Sequence, residues 1–256
     1  MDKLSLIGGL MALGAVILGV LLEGGALAIF VNPSAFLIVL GGTVGAVLLQ
    51  TPRSTFKEAV HLLSWVFHPP ALSLSDQVNK VKFWSGSVSQ EGIISLQEAL
   101  DLESDEFARK GLSLLIEGTE PQAIRSVLET DILAREHKQM MAAKVFSSMG
   151  GYAPTIGIMG AVIGLIQVVG HLGEPESLGL GIATAFIATL YGVGFANLIF
   201  LPIGNKLKAL IRHQLLEDEV LLDGLVAIAE GEHSLLLEKR LEGYLHYSDQ
   251  GLAKAS

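Results

Sequence analysis

The chain has 256 residues, half of them hydrophobic, and a mean hydropathy of +0.53, which soluble domains of this size rarely reach. Its formal net charge of −9 argues against nucleic acid as a main partner. It contains no cysteine, which excludes a disulfide frame, a thiol nucleophile and a thiolate metal site.

Met1-Asp2-Lys3 carries no net positive side-chain charge. The apolar run 4–22 is longer than a usual signal core, and no clean small-x-small cleavage site precedes Glu23. It is expected to be a retained membrane span. Glu23-Gly24-Gly25 and Asn32-Pro33-Ser34 punctuate the loop to a second span at about 35–50. Gly41-Gly42-Thr43-Val44-Gly45 gives this span a small-residue face suited to close helix contact. It ends at Thr51-Pro52-Arg53, with Arg53 at the inner interface. Ser54–Phe67 reads as an amphipathic helix with Phe56, Val60, Leu63 and Phe67 on one side, stopped by His68-Pro69-Pro70.

The middle of the chain reads as helical throughout. Asp76–Val88 places Val78, Val81 and Trp84 at spacings of three. Gly92–Leu102 offers Ile93, Ile94, Leu96 and Leu100, and Glu106–Glu117 offers Phe107, Leu112, Leu115 and Ile116. Gly118-Thr119-Glu120 breaks the chain and Pro121 restarts it at a first helical position. From there one helix runs through Ile124, Val127, Leu128 and Ile132 to Phe146 and into the third span, about 151–170. The fourth span, about 179–203, continues as an amphipathic helix over Lys206–Glu230. No strand pattern, repeat or low-complexity tract stands out.

All 17 Lys and Arg residues fall on one side of a four-span topology. The segment Thr51–Met149 holds ten of them, the tail beyond Gly204 six, and Lys3 is the last; loops Glu23–Ser34 and His171–Leu178 hold none. The positive side is the cytoplasmic one, so both termini are expected inside. The expected fold is an all-α polytopic membrane protein with four transmembrane helices and a helical cytoplasmic domain inserted between spans two and three. Its parts are a hairpin (1–51), the cytoplasmic domain (52–149), a second hairpin (150–203), and a C-terminal helix and tail (204–256).

No nucleotide-binding loop, Ser/His/Asp signature or metal-ligand spacing is present, so neither an enzyme nor a cofactor protein is expected. His137 beside Glu136 reads as part of a solvated helix face. His233 and His171 read as loop residues, and His213 as an interfacial or surface residue. Asp101, Glu103, Asp105 and Glu106 read as a solvated face with helix-start charges. The spans carry no Asp, Glu, Lys, Arg or His. Their polar groups are Thr43, Thr155, Gln167, Thr184, Thr189, Tyr191 and Asn197, which can solvate an ion but cannot bind and release a proton near neutral pH. Either this chain carries no ion, or another subunit supplies the titrating group. Pro154, near the start of span three, bends the helix and frees the carbonyl four residues earlier; its pairing with Thr155 and a facing Thr189 favours a functional kink. Pro202 lies at the inner end of span four.

The run Tyr152-Ala153-Pro154-Thr155-Ile156-Gly157-Ile158-Met159-Gly160-Ala161-Val162-Ile163-Gly164-Leu165 closely resembles the third-span motif of the MotA/PomA family. Ala188-Thr189-Leu190-Tyr191-Gly192, Ala196-Asn197 and Leu201-Pro202-Ile203 resemble its fourth span. Gly41-Gly42-Thr43, Gln50-Thr51-Pro52 and Trp65-Val66-Phe67 extend the likeness to the front, and the overall look is nearest the MotC-type branch.

The resemblance implies a stator subunit of the bacterial flagellar motor in the inner membrane. It implies a homopentamer around two copies of a MotB-type subunit, which spans the membrane once, supplies the ion-binding Asp and anchors to peptidoglycan. The rotor protein FliG is the implied cytoplasmic partner and membrane lipid the surroundings. Pro154 and Pro202 match the family prolines tied to torque, and Thr189 the threonine on the ion path, with Thr155 beside it. Sodium-type members carry Thr seven positions after the third-span proline; here that position is Ala161, which favours protons over Na⁺. One departure stands out. The frame Glu91-Gly92-Ile93-Ile94 is kept, but Ser89 and Gln97 stand where members usually carry Arg and Glu for rotor contact. That absence keeps open an ExbB/TolQ-like role, energising a machine other than a flagellum.

Overall fold

The computed structural model describes residues 3–25, 27–70, 73–170, 173 and 175–255. His171, Met1 and Asp2 lie outside them. Every element among the described residues is helical. Three helical segments are long and apolar enough to cross a membrane, Pro33–Gln50 and parts of Pro121–Gly170 and Leu178–Ala229, and a shorter apolar helix covers Leu6–Leu22. The chain divides into two compact units, one of Met1–Pro70 with Lys138–Ala209 and one of Ala71–His137 with Leu210–Ser256.

The first unit opens with α1 (Lys3–Leu22). A second rod follows: α2 (Pro33–Phe36), a π turn (Leu37–Gly41) and α3 (Gly42–Gln50). Asn32 starts it, its side chain accepting from the Ala35 N–H at 3.0 Å, with Pro33 at the first helical position where its missing N–H costs nothing. α4 (Arg53–Phe67) comes next. Its buried stripe is Ala59, Leu62 and Val66, whereas Val60 and Phe67 are 55% and 45% exposed. The apolar face expected around Phe56 is only partly packed on the protein: Phe56 and Leu63 are half-buried, and the fully buried stripe lies to one side of them. The unit is completed by the later part of α8 (Pro121–Gly170), by α9 (Pro175–Phe195), a second π turn (Ala196–Phe200) and the start of α10 (Leu201–Ala229). Spans two and four are thus not uniform α-helices. Each π turn contains one extra residue, which no hydrophobic period encodes.

The second unit is built by α5 (Leu74–Glu91), α6 (Leu96–Leu102), α7 (Glu106–Ile116), the early part of α8, the later part of α10, and α11 (Ser234–Ala255). Ser73 caps α5 by accepting from the Asp76 N–H, and Asp105 caps α7 by accepting from the Phe107 N–H. Gly118 ends α7 at φ 72°, a left-handed position that favours glycine. The helix expected over Gly92–Leu102 is broken instead. Gly92 sits at φ 83°, a 3₁₀ turn covers Ile93–Ser95, and only Leu96 of the expected face is fully buried; Ile94 is 82% exposed. The core joins Val78, Val81, Trp84, Phe107, Leu112, Leu115, Ile124, Leu128, Leu221, Leu225 and Leu237, all at most 3% exposed. Cutting one such leucine to alanine costs about 2–5 kcal/mol. Gly111 and Gly224 admit Leu225 and Val81: a Cβ at either would lie 2.3 Å from the facing methyl.

Candidate functional site

In the first unit α8 and α9 lie back to back with almost no side chain between them. A Cβ added at Gly157 would sit 2.9 Å from the Ala188 carbonyl oxygen, and one at Gly164 3.0 Å from the Gly181 carbonyl oxygen. At Gly160 it would meet the Ala188 Cβ at 2.9 Å, and at Gly192 the Ala153 carbonyl oxygen at 2.6 Å. Small residues every three or four positions let apolar helices approach until backbone touches backbone, which yields dispersion contacts where no hydrophobic effect operates. The second rod joins the pair through Gly42, whose Cβ would meet Ile156 at 2.9 Å, and through a cluster of Ala35, Val39, Ile187 and Ala188.

Pro154 lies inside α8 at this seam. Its ring removes the N–H that would bond the Gly150 carbonyl, yet the helix continues. Thr155, next to it, is exposed and donates to the Tyr152 carbonyl at 2.8 Å. Thr189 is half-buried and donates to the Ala185 carbonyl at 3.2 Å. Each threonine is engaged by its own helix, so the pairing expected between them is not a hydrogen bond. Their oxygens keep lone pairs able to accept from water or coordinate a cation. Ala161 is half-buried one turn beyond Ile158 and adds only a methyl. Pro202 is exposed and follows the second π turn, where the Leu201 N–H reaches back to the Ala196 carbonyl. That five-residue step absorbs the register change beside a residue without an N–H.

A hydrogen-bonded knot at one end of the rods escaped the sequence reading. The Tyr191 hydroxyl donates to the Phe30 carbonyl and accepts from the Asn32 N–H at 3.3 Å, while the Asn32 amide donates to the Thr184 hydroxyl at 2.9 Å. Phe36 meets Tyr191 and Phe195 edge-on, at 6.2 and 5.9 Å between centroids. Asn32 is thus more than loop punctuation; the signal in the sequence is a tyrosine inside an apolar span, whose hydroxyl needs a partner. Thr43, fully buried, donates to the Val39 carbonyl at 2.6 Å next to the first π turn.

In the second unit Ser89, Glu91 and Gln97 are all exposed, at the corner between α5 and α6. Ser89 donates to the Ser85 carbonyl at 2.8 Å. Of these three residues only Glu91 is charged, and none of them makes an ion pair among the described residues. The unit also buries two carboxylates that the sequence reading passed over. Glu217 is 5% exposed and Asp218 4%. Burial pushes Glu217 up to about 7, against hydrogen bonds from the Ser73 backbone and Gln77, with Asp218 and Asp105 adding like charge. Burial pushes Asp218 up to about 6, against the opposing pull of Arg135 at 2.9 Å. His213, half-buried, brings Nδ1 within 3.8 Å of Glu217. Asp223 gathers Arg125 at 3.2 Å, Arg240 at 3.5 Å and the Tyr244 hydroxyl at 2.6 Å. Glu103 is no solvated residue: it binds Lys80 at 2.9 Å and accepts from the Ser104 and Asp105 N–H groups. His137 and His233 are exposed, as expected of a helix face and a loop. Among the described residues no group of His, Asp and Glu has metal-holding geometry.

Long apolar helices packed through glycine and alanine, with an internal proline and no titratable side chain at the seam, define a polytopic helical membrane-protein class. Comparison with known proteins specifies it. Residues 99–219 match the MotA/TolQ/ExbB proton channel family and residues 6–84 match the motility protein A N-terminal region. Motility protein A of Bacillus subtilis (strain 168) is 32% identical over 251 residues, covering 98% of this chain and 93% of the relative. The solved C. jejuni MotAB structure superposes with a TM-score of 0.91 at 27% identity, covering 95% of this chain and 96% of that one. The flagellar MotAB stator complex from Bacillus subtilis gives 0.87 at 31% identity, covering 94% and 96%. The chain belongs to the MotA/PomA family of flagellar stator proteins.

Proposed function

We propose that this chain is the stator subunit that couples proton flow to flagellar rotation, within the MotC-type branch of its family. One observation carries the reading: the α8–α9 seam is closed by glycine and alanine around Pro154 and offers only hydroxyls. A proton crossing beside it needs a carboxylate from another chain. A MotB-type subunit with a single span supplies that Asp, and the solved relatives are MotAB complexes. Ala161 adds no oxygen to those of Thr155 and Thr189, which favours the proton over Na⁺ as the coupling ion. Pro154, Thr155, Ala161 and Thr189 line the path, and Pro154 and Pro202 pass the movement on.

The wider assembly is a homopentamer around two partner copies, embedded in the lipid of the bacterial inner membrane. Its four spans, about 4–22, 35–50, 151–170 and 179–203, leave both termini and the domain 52–149 in the cytoplasm. There the domain engages FliG. The protein performs no covalent chemistry and holds no cofactor or metal. A second reading, an ExbB/TolQ-like energiser of another machine, is favoured by Ser89 and Gln97 alone, where the rotor-contact charges are missing.

A strain stripped of its own stator genes tests the two. Expressing this chain with its MotB-type partner restores swimming, and expressing it without the partner does not. Membrane-located protein that never restores swimming with the partner overturns the stator reading.

A further inference from the structure

We propose that the first unit holds a phospholipid, with an acyl chain in an apolar crevice beside α4 and an anionic headgroup on Arg53 and Lys57. The inference rests on the membrane topology proposed above. The crevice has a volume of about 140 Å³ and only apolar residues line it. Val47 of α3, Phe56, Val60 and Leu63 of α4, and Phe146 and Met149 of α8 form most of its wall. Three helices meet there at the inner ends of spans two and three, where the hydrocarbon band gives way to headgroups. An apolar crevice of this size takes a benzene-sized guest, so it seats a short part of an acyl chain and leaves the rest in the bilayer.

The surface of α4 determines which guest fits. Arg53 and Lys57 lie one turn apart and are exposed, and neither makes an ion pair among the described residues. Val60 follows on the same side, 55% exposed, at the mouth of the crevice. The one carboxylate on α4, Glu58, is engaged by Lys138 at 2.9 Å. The helix thus presents two cations, then an apolar opening, with no free negative charge. That order matches a phospholipid lying along the interface, phosphate toward the first turn and chain inward. It also accounts for the outward turn of Val60.

The test uses the full chain purified with its partner in detergent, and native mass spectrometry with phosphatidylglycerol and phosphatidylcholine as probes. The wild-type complex retains phosphatidylglycerol in preference to phosphatidylcholine by about tenfold. Val60→Trp and Leu63→Trp, which fill the crevice, each lower retention of both lipids by about tenfold, whereas Val60→Ala leaves it unchanged. The double change Arg53→Gln, Lys57→Gln abolishes the preference between headgroups but keeps the chain bound. Melting temperatures within a few degrees of wild type show that the variants fold. Retention indifferent to both tryptophans overturns the proposal. Because the chain has no cysteine, Val60→Cys is a unique reporter. Efficient cross-linking of that cysteine between neighbouring copies overturns it too, by assigning the crevice to a second copy. A wild-type chain that restores swimming yet retains no lipid fails this inference alone; one that retains lipid yet never restores swimming fails only the stator reading.

Discussion

Gly192 stands directly against Pro154: a Cβ added at Gly192 would lie 3.2 Å from the Pro154 Cα and 2.6 Å from the Ala153 carbonyl oxygen. The proline bend and the glycine gap are two halves of one contact. Gly192→Ala should force α8 and α9 apart, at a cost of about 1–3 kcal/mol typical of overpacking, and abolish or strongly reduce swimming. Gly194→Ala, two residues on, meets nothing within 4 Å and should swim like wild type. Motility halos with matched membrane levels check the pair; equal halos for both variants would contradict the contact's role.

Pro154→Leu restores an N–H to α8 and with it the hydrogen bond to the Gly150 carbonyl. The expected outcome is a protein that assembles with its partner at normal levels but does not turn the rotor. Co-purification measures assembly and tethered-cell rotation measures torque. Normal rotation by the variant removes Pro154 from the mechanism.

The carboxyl of Glu217 is pushed up to about 7 from 4.5 by burial, with Asp218 and Asp105 facing it as like charges and His213 at 3.8 Å. A raised acid favours the folded state while the proton stays on. The contribution is complete below about pH 4.5 and is lost as pH rises through about 7. Glu217→Gln should flatten this decline and leave the second unit more stable than wild type at about pH 8. Asp218, raised in the same direction to about 6, leaves a smaller residual slope. Denaturant melts of the detergent-purified chain from about pH 5 to 8 provide the check; parallel curves for wild type and variant would exclude a neutral buried Glu217.

Much of this architecture is legible in the sequence because apolar length and charge placement are one-dimensional signals. Val78, Val81 and Trp84 bury as their spacing requires, and Pro121 starts a helix that runs on to Gly170. The uncharged seam is legible for the same reason. What the sequence hides depends on partners distant along the chain. Phe56, Val60, Leu63 and Phe67 share a stripe that looks like a core face, yet only Phe56 and Leu63 are half-buried, and Ala59, Leu62 and Val66 are the fully buried ones. Periodicity shows that a face is apolar and leaves open whether protein or lipid covers it. The helix expected over Gly92–Leu102 is α-helical only from Leu96, because Gly92 adopts a left-handed φ that spacing does not register. Glu217 and Asp218 looked like ordinary charges on an amphipathic helix; only the packing of α5 and α8 around them removes their water. Of the residues named from the resemblance, Pro154 lies at the seam, whereas Thr155 and Pro202 face outward.

The proposed coupling has this chain borrow its titrating group and pass protons. It is tested most directly by swimming speed in a strain whose only stator is this chain with its MotB-type partner, measured against external Na⁺ and against a protonophore. Speed should stay flat across Na⁺ concentration and collapse with the protonophore, because Ala161 adds no side-chain ligand for sodium. Speed that rises with Na⁺ and survives the protonophore would contradict it.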